Sequence, residues 1–177
     1  VLLAALGVTI VRIGGLLNEH MFLGMLLIGP VALKLASTGY RFVRYYSGNP
    51  RYRAKGPPPP AMRLIAPVVV LSTLVVFATG VALLVLGPSS RGLLTTLHKA
   101  SFIVWLAFTS LHVLGHLGEL PGVLARERAT PRPWDDQGAG RGARAITVAG
   151  GLAGGLVLAL AVQSQFGAWE RFRSPFH

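Results

Sequence analysis

Long apolar runs alternate with short polar stretches along this chain, and the charged residues gather at the ends of the runs. The first run, VLLAALGVTIVRIGGLL (residues 1–17), is broken only by Arg12. At about 1.5 Å per residue it is just long enough to cross a bilayer. Arg12 sits near one end, from which its side chain can snorkel to the interface. Asn18 is a suitable N-cap, and a second, longer helix is predicted over 18–46. Pro30 should kink it. Tyr40, Tyr45 and Tyr46, with Arg41 and Arg44, mark its interfacial end.

Residues 47–63, SGNPRYRAKGPPPPAMR, read as a linker, because Pro57 to Pro60 favour an extended chain over a helix. A third helix is predicted over 64–86, a turn at GPSSRG, and a fourth helix over 93–117. Residues 118–144 form a polar, Arg-rich loop containing Pro121, Pro131 and Pro133. A fifth apolar run, AITVAGGLAGGLVLALAV (145–162), carries Gly150, Gly154 and neighbouring glycines at a spacing that lets helices approach closely. A short polar tail runs to His177. The pattern therefore predicts an all-α integral membrane bundle of about five transmembrane helices, forming a single domain over 1–177.

Composition strengthens that reading. The chain is 52% hydrophobic and 13% charged, with a mean hydropathy of +0.57; soluble domains carry about 25% charged residues. A soluble helical domain with an unusually apolar core is the alternative this disfavours. The net charge of +11 would suggest a nucleic-acid partner in a soluble protein. Here the charges flank apolar segments and no basic stripe is interleaved with aromatics, so the expected partner is membrane lipid and no nucleic acid. No positively charged n-region with a cleavage site precedes the first run, which reads as a membrane segment and not as a signal peptide. The 47–63 loop and its flanks hold Arg41, Arg44, Arg51, Arg53, Lys55 and Arg63; the 118–144 loop holds Arg126, Arg128, Arg132, Arg141 and Arg144. In a five-helix chain both loops fall on one side, which the positive-inside rule assigns to the cytoplasm. The absence of cysteine excludes disulfides, thiolate-bound clusters and covalently attached c-type haem.

The apolar fourth helix nevertheless carries three imidazoles, His98, His112 and His116. Helices two and four run in the same direction in this topology, so His20 and His98, each near a helix start, lie at similar depth. Two neutral imidazoles facing each other across a bundle can supply both axial ligands to one haem iron. Gly24, one turn beyond His20, would leave room for a macrocycle edge. His112 follows His98 by fourteen residues, a rise of about 21 Å with the two faces about 40° apart. The equivalent position on helix two is Lys34, where a second imidazole would be expected, so a second haem lacks an evident partner. One haem b is expected. His112 and His116 then read equally as polar packing, propionate contacts or part of a quinone pocket. Lys34 within a bilayer calls for a counter-charge such as a propionate, a quinone oxygen or Glu119. Zinc at His112 and His116 has the right i, i+4 spacing but lacks a third ligand. No Ser/His/Asp arrangement, phosphate loop or paired-carboxylate site is visible.

The segments EHMFLGMLLIGPVALKLASTGYRFVRYYSG, YRAKGPP and LHKASFIVWLAFTSLHVLGH, within residues 18–117, together resemble bacterial membrane cytochrome b proteins. These belong to the four-helix-bundle b-type superfamily, including members associated with molybdopterin oxidoreductases. The resemblance implies a subunit of a respiratory or redox complex in the bacterial inner membrane, passing electrons between a partner oxidoreductase and the quinone pool. It implies that His20 and His98 are ligands of an outer haem and that His112 is a candidate for an inner one. Lys34 departs from the histidine that two-haem members tend to have. Two other classes of function remain open from the residues: a haem-free accessory subunit that stabilises a larger membrane complex, and a small transporter using Lys34 and the histidines as a polar path. The latter is weakened by the lack of an internal repeat.

Overall fold

In the computed structural model the described residues are 1–54, 56–57, 59–119, 121–122, 125 and 137–173. They form seven α-helices: α1 Leu2–Val11, α2 Leu17–Tyr46, α3 Pro50–Arg53, α4 Pro60–Leu86, α5 Arg91–His116, α6 Gln137–Val162 and α7 Phe166–Arg173. No strand occurs among the described residues. Four of these helices, α2, α4, α5 and α6, are long and apolar enough to cross a membrane. The shortest of the four has 26 residues, or about 39 Å of helix against a hydrocarbon core of about 30 Å. The chain is an all-α helical bundle of a membrane protein.

The ends of the helices differ from expectation for local reasons. The first apolar run is helical only over Leu2–Val11 and turns at Arg12–Gly15, where the amides of Gly15 and Leu16 both donate to the Arg12 carbonyl (2.9 and 3.0 Å). The Gly14–Gly15 pair has little helix propensity to oppose that turn. Helix α4 begins at Pro60, not Leu64, because a proline at the first helical position gives up only an amide that would have had no partner. Helix α6 begins at Gln137, not Ala145, so its first two turns come from the stretch expected as loop. Short helices also form at Pro50–Arg53, inside the expected linker, and at Phe166–Arg173, inside the expected tail. His177, Lys55 and Arg126, Arg128 and Arg132 lie outside the described residues.

The bundle is assembled as two antiparallel pairs. Gly87, at φ +74°, and a 3₁₀ turn over Pro88–Ser90 fold α5 back onto α4. Helix α6 packs along α2, and the two pairs meet more thinly where α2 faces α4. The α2–α6 crossing is set by proline and glycine chemistry. Pro30 has no N–H, so the Leu26 carbonyl loses its usual helical donor. Gly155 of α6 lies directly against that carbonyl, and Gly29 of α2 lies against the Gly151 carbonyl; a Cβ added at Gly155 or Gly29 would collide with these backbone oxygens. Such close approach lets Cα–H groups face carbonyls in a setting where water cannot. Of the α6 glycines expected to pack, Gly151 and Gly155 do so, whereas an added Cβ at Gly150 or Gly154 meets nothing within 4 Å.

Met25, Leu84, Ala159 and Phe166 form the buried core, with Met21, Phe22, Ile28 and Val81 packed against it. It lies toward the end of the bundle that holds the start of α2. Elsewhere the surface is apolar: Leu64, Leu71, Ile103, Leu114, Ile146 and Val157 are all exposed. Lipid suits such a surface and water does not. The buried hydroxyls of Ser72, Thr73 and Thr79 each donate to a carbonyl one turn back at 2.6–2.7 Å, which satisfies them without solvent.

Candidate functional site

His20 stands in the first turn of α2 and His98 in the second turn of α5, and the antiparallel hairpin α4–α5 makes those two helices parallel. The expected meeting of the two imidazoles is present. Their ring centres are 6.4 Å apart with planes 85° to one another. Between α2 and α5 close backbone approach is all but absent, so the side chains alone span the gap.

Hydrogen bonding fixes which nitrogen of each ring carries the proton. The His98 Nδ1 lies 3.0 Å from the Val76 carbonyl, which can only accept, so Nδ1–H is the donor. The Thr79 Oγ1 is a second acceptor at 3.1 Å, its own proton being committed to the Val75 carbonyl at 2.7 Å. For His20 the logic repeats. The Thr9 hydroxyl donates to the Leu6 carbonyl at 2.6 Å, and its oxygen therefore accepts from the His20 Nδ1–H at 3.0 Å. Both imidazoles thus present Nδ1–H to an acceptor of the protein, which leaves Nε2 as the ring atom open to a ligand. Among the described residues neither Nε2 has a hydrogen-bond partner. An imidazole oriented by an Nδ1–H bond, with a free Nε2, is the arrangement that protein metal sites use.

Rings at 6.4 Å interact directly as aromatics, and two imidazoles whose Nε2 atoms are unengaged could also hold a metal or haem iron between them. Space is consistent as well. An added Cβ at Gly24 meets nothing within 4 Å, whereas one at Gly80 of α4 would stand 3.2 Å from His98 Cε1, so Gly80 is the wall against which the His98 ring rests.

Four residues of this arrangement, Thr9, Val76, Thr79 and Gly80, were not singled out from the sequence. Their one available signal was the occurrence of polar or small residues within apolar runs, and it does not reveal which helix faces which.

The remaining candidates collect at the opposite end of the bundle. His112 and His116 have ring centres 4.9 Å apart at 69°. The His112 Nδ1 and the Thr109 Oγ1 are both buried without a hydrogen bond. Lys34 is exposed and within electrostatic reach of His112. The Glu119 side chain, expected as a counter-charge, is outside the described set. No cluster of three or more histidine, cysteine, aspartate or glutamate residues with metal-binding geometry exists among the described residues. No family model, curated protein or solved structure matches this chain.

Proposed function

We propose that this protein is a b-type haem-binding membrane subunit that carries electrons between a partner oxidoreductase and the quinone pool, with His20 and His98 as the axial pair. One observation carries the reading: two imidazoles from parallel helices, each presenting Nδ1–H to an acceptor, stand 6.4 Å apart with both Nε2 atoms unengaged. When bound, the haem supplies one-electron cycling of its iron. The chain's own residues do the rest. Thr9 and the Val76 carbonyl orient the two rings, and Gly80 leaves room for the His98 ring beside α4. The apolar helices keep water from the site. A partner subunit would supply the substrate chemistry, since no substrate-activating constellation is visible in the sequence. Arg41, Arg44, Arg51, Arg53 and Arg63 at the ends of α2 and α4 support an orientation with those loops in the cytoplasm of a bacterial cell, the His20–His98 pair lying toward the outer face.

Protein purified after haem-replete expression should give b-type bands in its reduced-minus-oxidised spectrum and about one haem per chain by pyridine haemochrome. His98→Ala should lose most of that signal. Haem-free protein, or an unchanged spectrum in His98→Ala, would end the assignment. A haem-free packing subunit is the second reading, and the outward-facing Gly150 and Gly154 favour it, since they offer a close-approach face that this chain leaves open. Colourless protein that still co-purifies with a membrane complex would select it.

A further inference from the structure

Helix α7 is short and lies across the end of the bundle where α2 and α5 begin. Its first residue, Phe166, is 6% exposed and packs with Met25, Leu84 and Ala159, which come from α2, α4 and α6. Trp169, three residues on, packs against the same core. Beyond Trp169 the contacts change in kind. Glu170 accepts a hydrogen bond from the Asn18 side-chain amide in the first turn of α2. The ring of Phe172 lies under the guanidinium of Arg91, the first residue of α5, with 4.0 Å from the guanidinium carbon to the ring centre. The backbone of α7 passes beside the Pro88–Ser90 turn.

These two ties reach the starts of the same two helices that carry the imidazoles. Asn18 precedes His20 by two residues, about 3 Å of helix, and Arg91 precedes His98 by seven, about 10 Å. Both α2 and α5 run away from α7. The span from Asn18 to Arg91 therefore crosses the end of the α2–α5 gap, just outside the ring pair. In the orientation proposed above that end faces water.

Anchor and ties differ in strength. Phe166 is sealed in the core, whereas Arg91, Glu170 and Phe172 are exposed. Water competes for the exposed hydrogen bond and weakens the cation–π contact. A 3₁₀ turn over Gln163–Gln165, without a side-chain cap, joins α7 to α6. A short helix held firmly at its first residue and loosely near its last opens from the loose end.

We propose that α7 is a strap over the water-facing end of the α2–α5 gap, and that haem passes to and from the space between His20 and His98 when the Asn18–Glu170 and Arg91–Phe172 ties release. The identity of the passing group rests on the function proposed above; the strap itself does not. A strap changes the rate of passage in both directions and leaves the closed site as it was. A residue that supports the rings changes affinity instead.

The test uses the full chain with its haem in a non-ionic detergent. Transfer of haem to an excess of a soluble haem-binding protein gives the release rate, and return of haem to the emptied chain gives the uptake rate. Glu170→Ala and Phe172→Ala should each raise both rates several-fold and by similar factors, and the double variant should raise them further. The reduced-minus-oxidised spectrum and the ratio of the two rates should not change. Faster release without faster uptake, a displaced spectrum, or unaltered rates in the double variant overturns the proposal. Should the double variant not fold, Glu170→Ala and Phe172→Leu decide by the same criteria. Colourless protein would end the haem assignment, and access is then read at Gly24→Cys. The chain has no cysteine of its own, and an added Cβ at position 24, one turn beyond His20, enters open space. Modification there by a water-soluble thiol reagent should quicken when the ties are removed, while Gly150→Cys, on the open face of α6, should react at an unchanged rate. No change at position 24, or an equal rise at both positions, overturns the strap.

Discussion

The hydrogen bonds behind the two imidazoles predict unequal effects from two similar substitutions, Thr9→Val and Thr79→Val. Valine keeps the shape of threonine and removes only the hydroxyl. Thr9 is 4% exposed, and its oxygen is the sole acceptor for the His20 Nδ1–H among the described residues. Thr9→Val therefore leaves a part-buried N–H without a partner, which costs about 1–3 kcal/mol. Loss of such an orienting bond weakens metal-site affinity roughly 10- to 100-fold in known cases; at about 1.4 kcal/mol per factor of ten, the two estimates agree. Thr79 differs, because the His98 Nδ1–H keeps the Val76 carbonyl at 3.0 Å when the threonine oxygen at 3.1 Å is removed. Only one branch of a shared bond is lost, with a cost near the low end of the roughly 0.5–1.5 kcal/mol net value of a neutral hydrogen bond. The assay is haem transfer to an excess of a soluble haem-binding protein, followed by absorbance, alongside thermal unfolding in detergent. Thr9→Val should release haem at least several times more readily than Thr79→Val (order of magnitude). Equal loss in the two variants, or a larger loss in Thr79→Val, would show that these Nδ1–H bonds do not control the site.

Two further substitutions probe the glycines. Gly155→Ala directs a Cβ into the Leu26 carbonyl and should destabilise the bundle by about 1–3 kcal/mol, as overpacking does. Gly150→Ala enters open space on the same helix and should be neutral or slightly stabilising, so a reversed order in detergent unfolding would refute the α2–α6 crossing. Gly80→Ala brings a Cβ to 3.2 Å from His98 Cε1. The ring must then yield by a few tenths of an ångström. The expected readout is a displaced absorption band or midpoint potential with unchanged yield of folded protein; an unmoved spectrum would detach Gly80 from the site.

The helices were legible because each is written as an apolar run of bilayer length, and this physics is local. Their ends were less so. In sequence Pro60 reads as a breaker, although proline at a helix's first position loses nothing. The apolar pattern runs through Arg12–Gly15, although two adjacent glycines in the middle of an apolar run permit a turn. The shared depth of His20 and His98 followed from helix direction and a rise of about 1.5 Å per residue. Their second contacts were not legible, because the rotation of α4 about its axis decides whether Thr79 or a neighbour faces His98, and an almost uniformly apolar helix carries little information about rotation. The same ambiguity explains the glycines of α6. Gly150–Gly154 and Gly151–Gly155 have identical spacing, and only the Leu26 carbonyl freed by Pro30 distinguishes the face that packs.

These contacts also place each imidazole under the control of its own side of the bundle. His20 is fixed on its own side of the bundle: α1 supplies Thr9, and the glycines of α6 clamp α2 at Leu26 to Pro30. His98 is fixed within the other pair, by Val76, Thr79 and Gly80 of α4. Each ring thus takes its orientation from its own side. The distance between the rings depends on the thin contact of α2 with α4, lined by Ile28 and Val81 and lacking interlocked backbone. Ring orientation preset by each side of the bundle is what the proposed ligand pair would require, since bond direction must be set by the protein. On this argument α1, which covers only about half of a bilayer's thickness, acts chiefly through Thr9, as the element that orients the His20 ring.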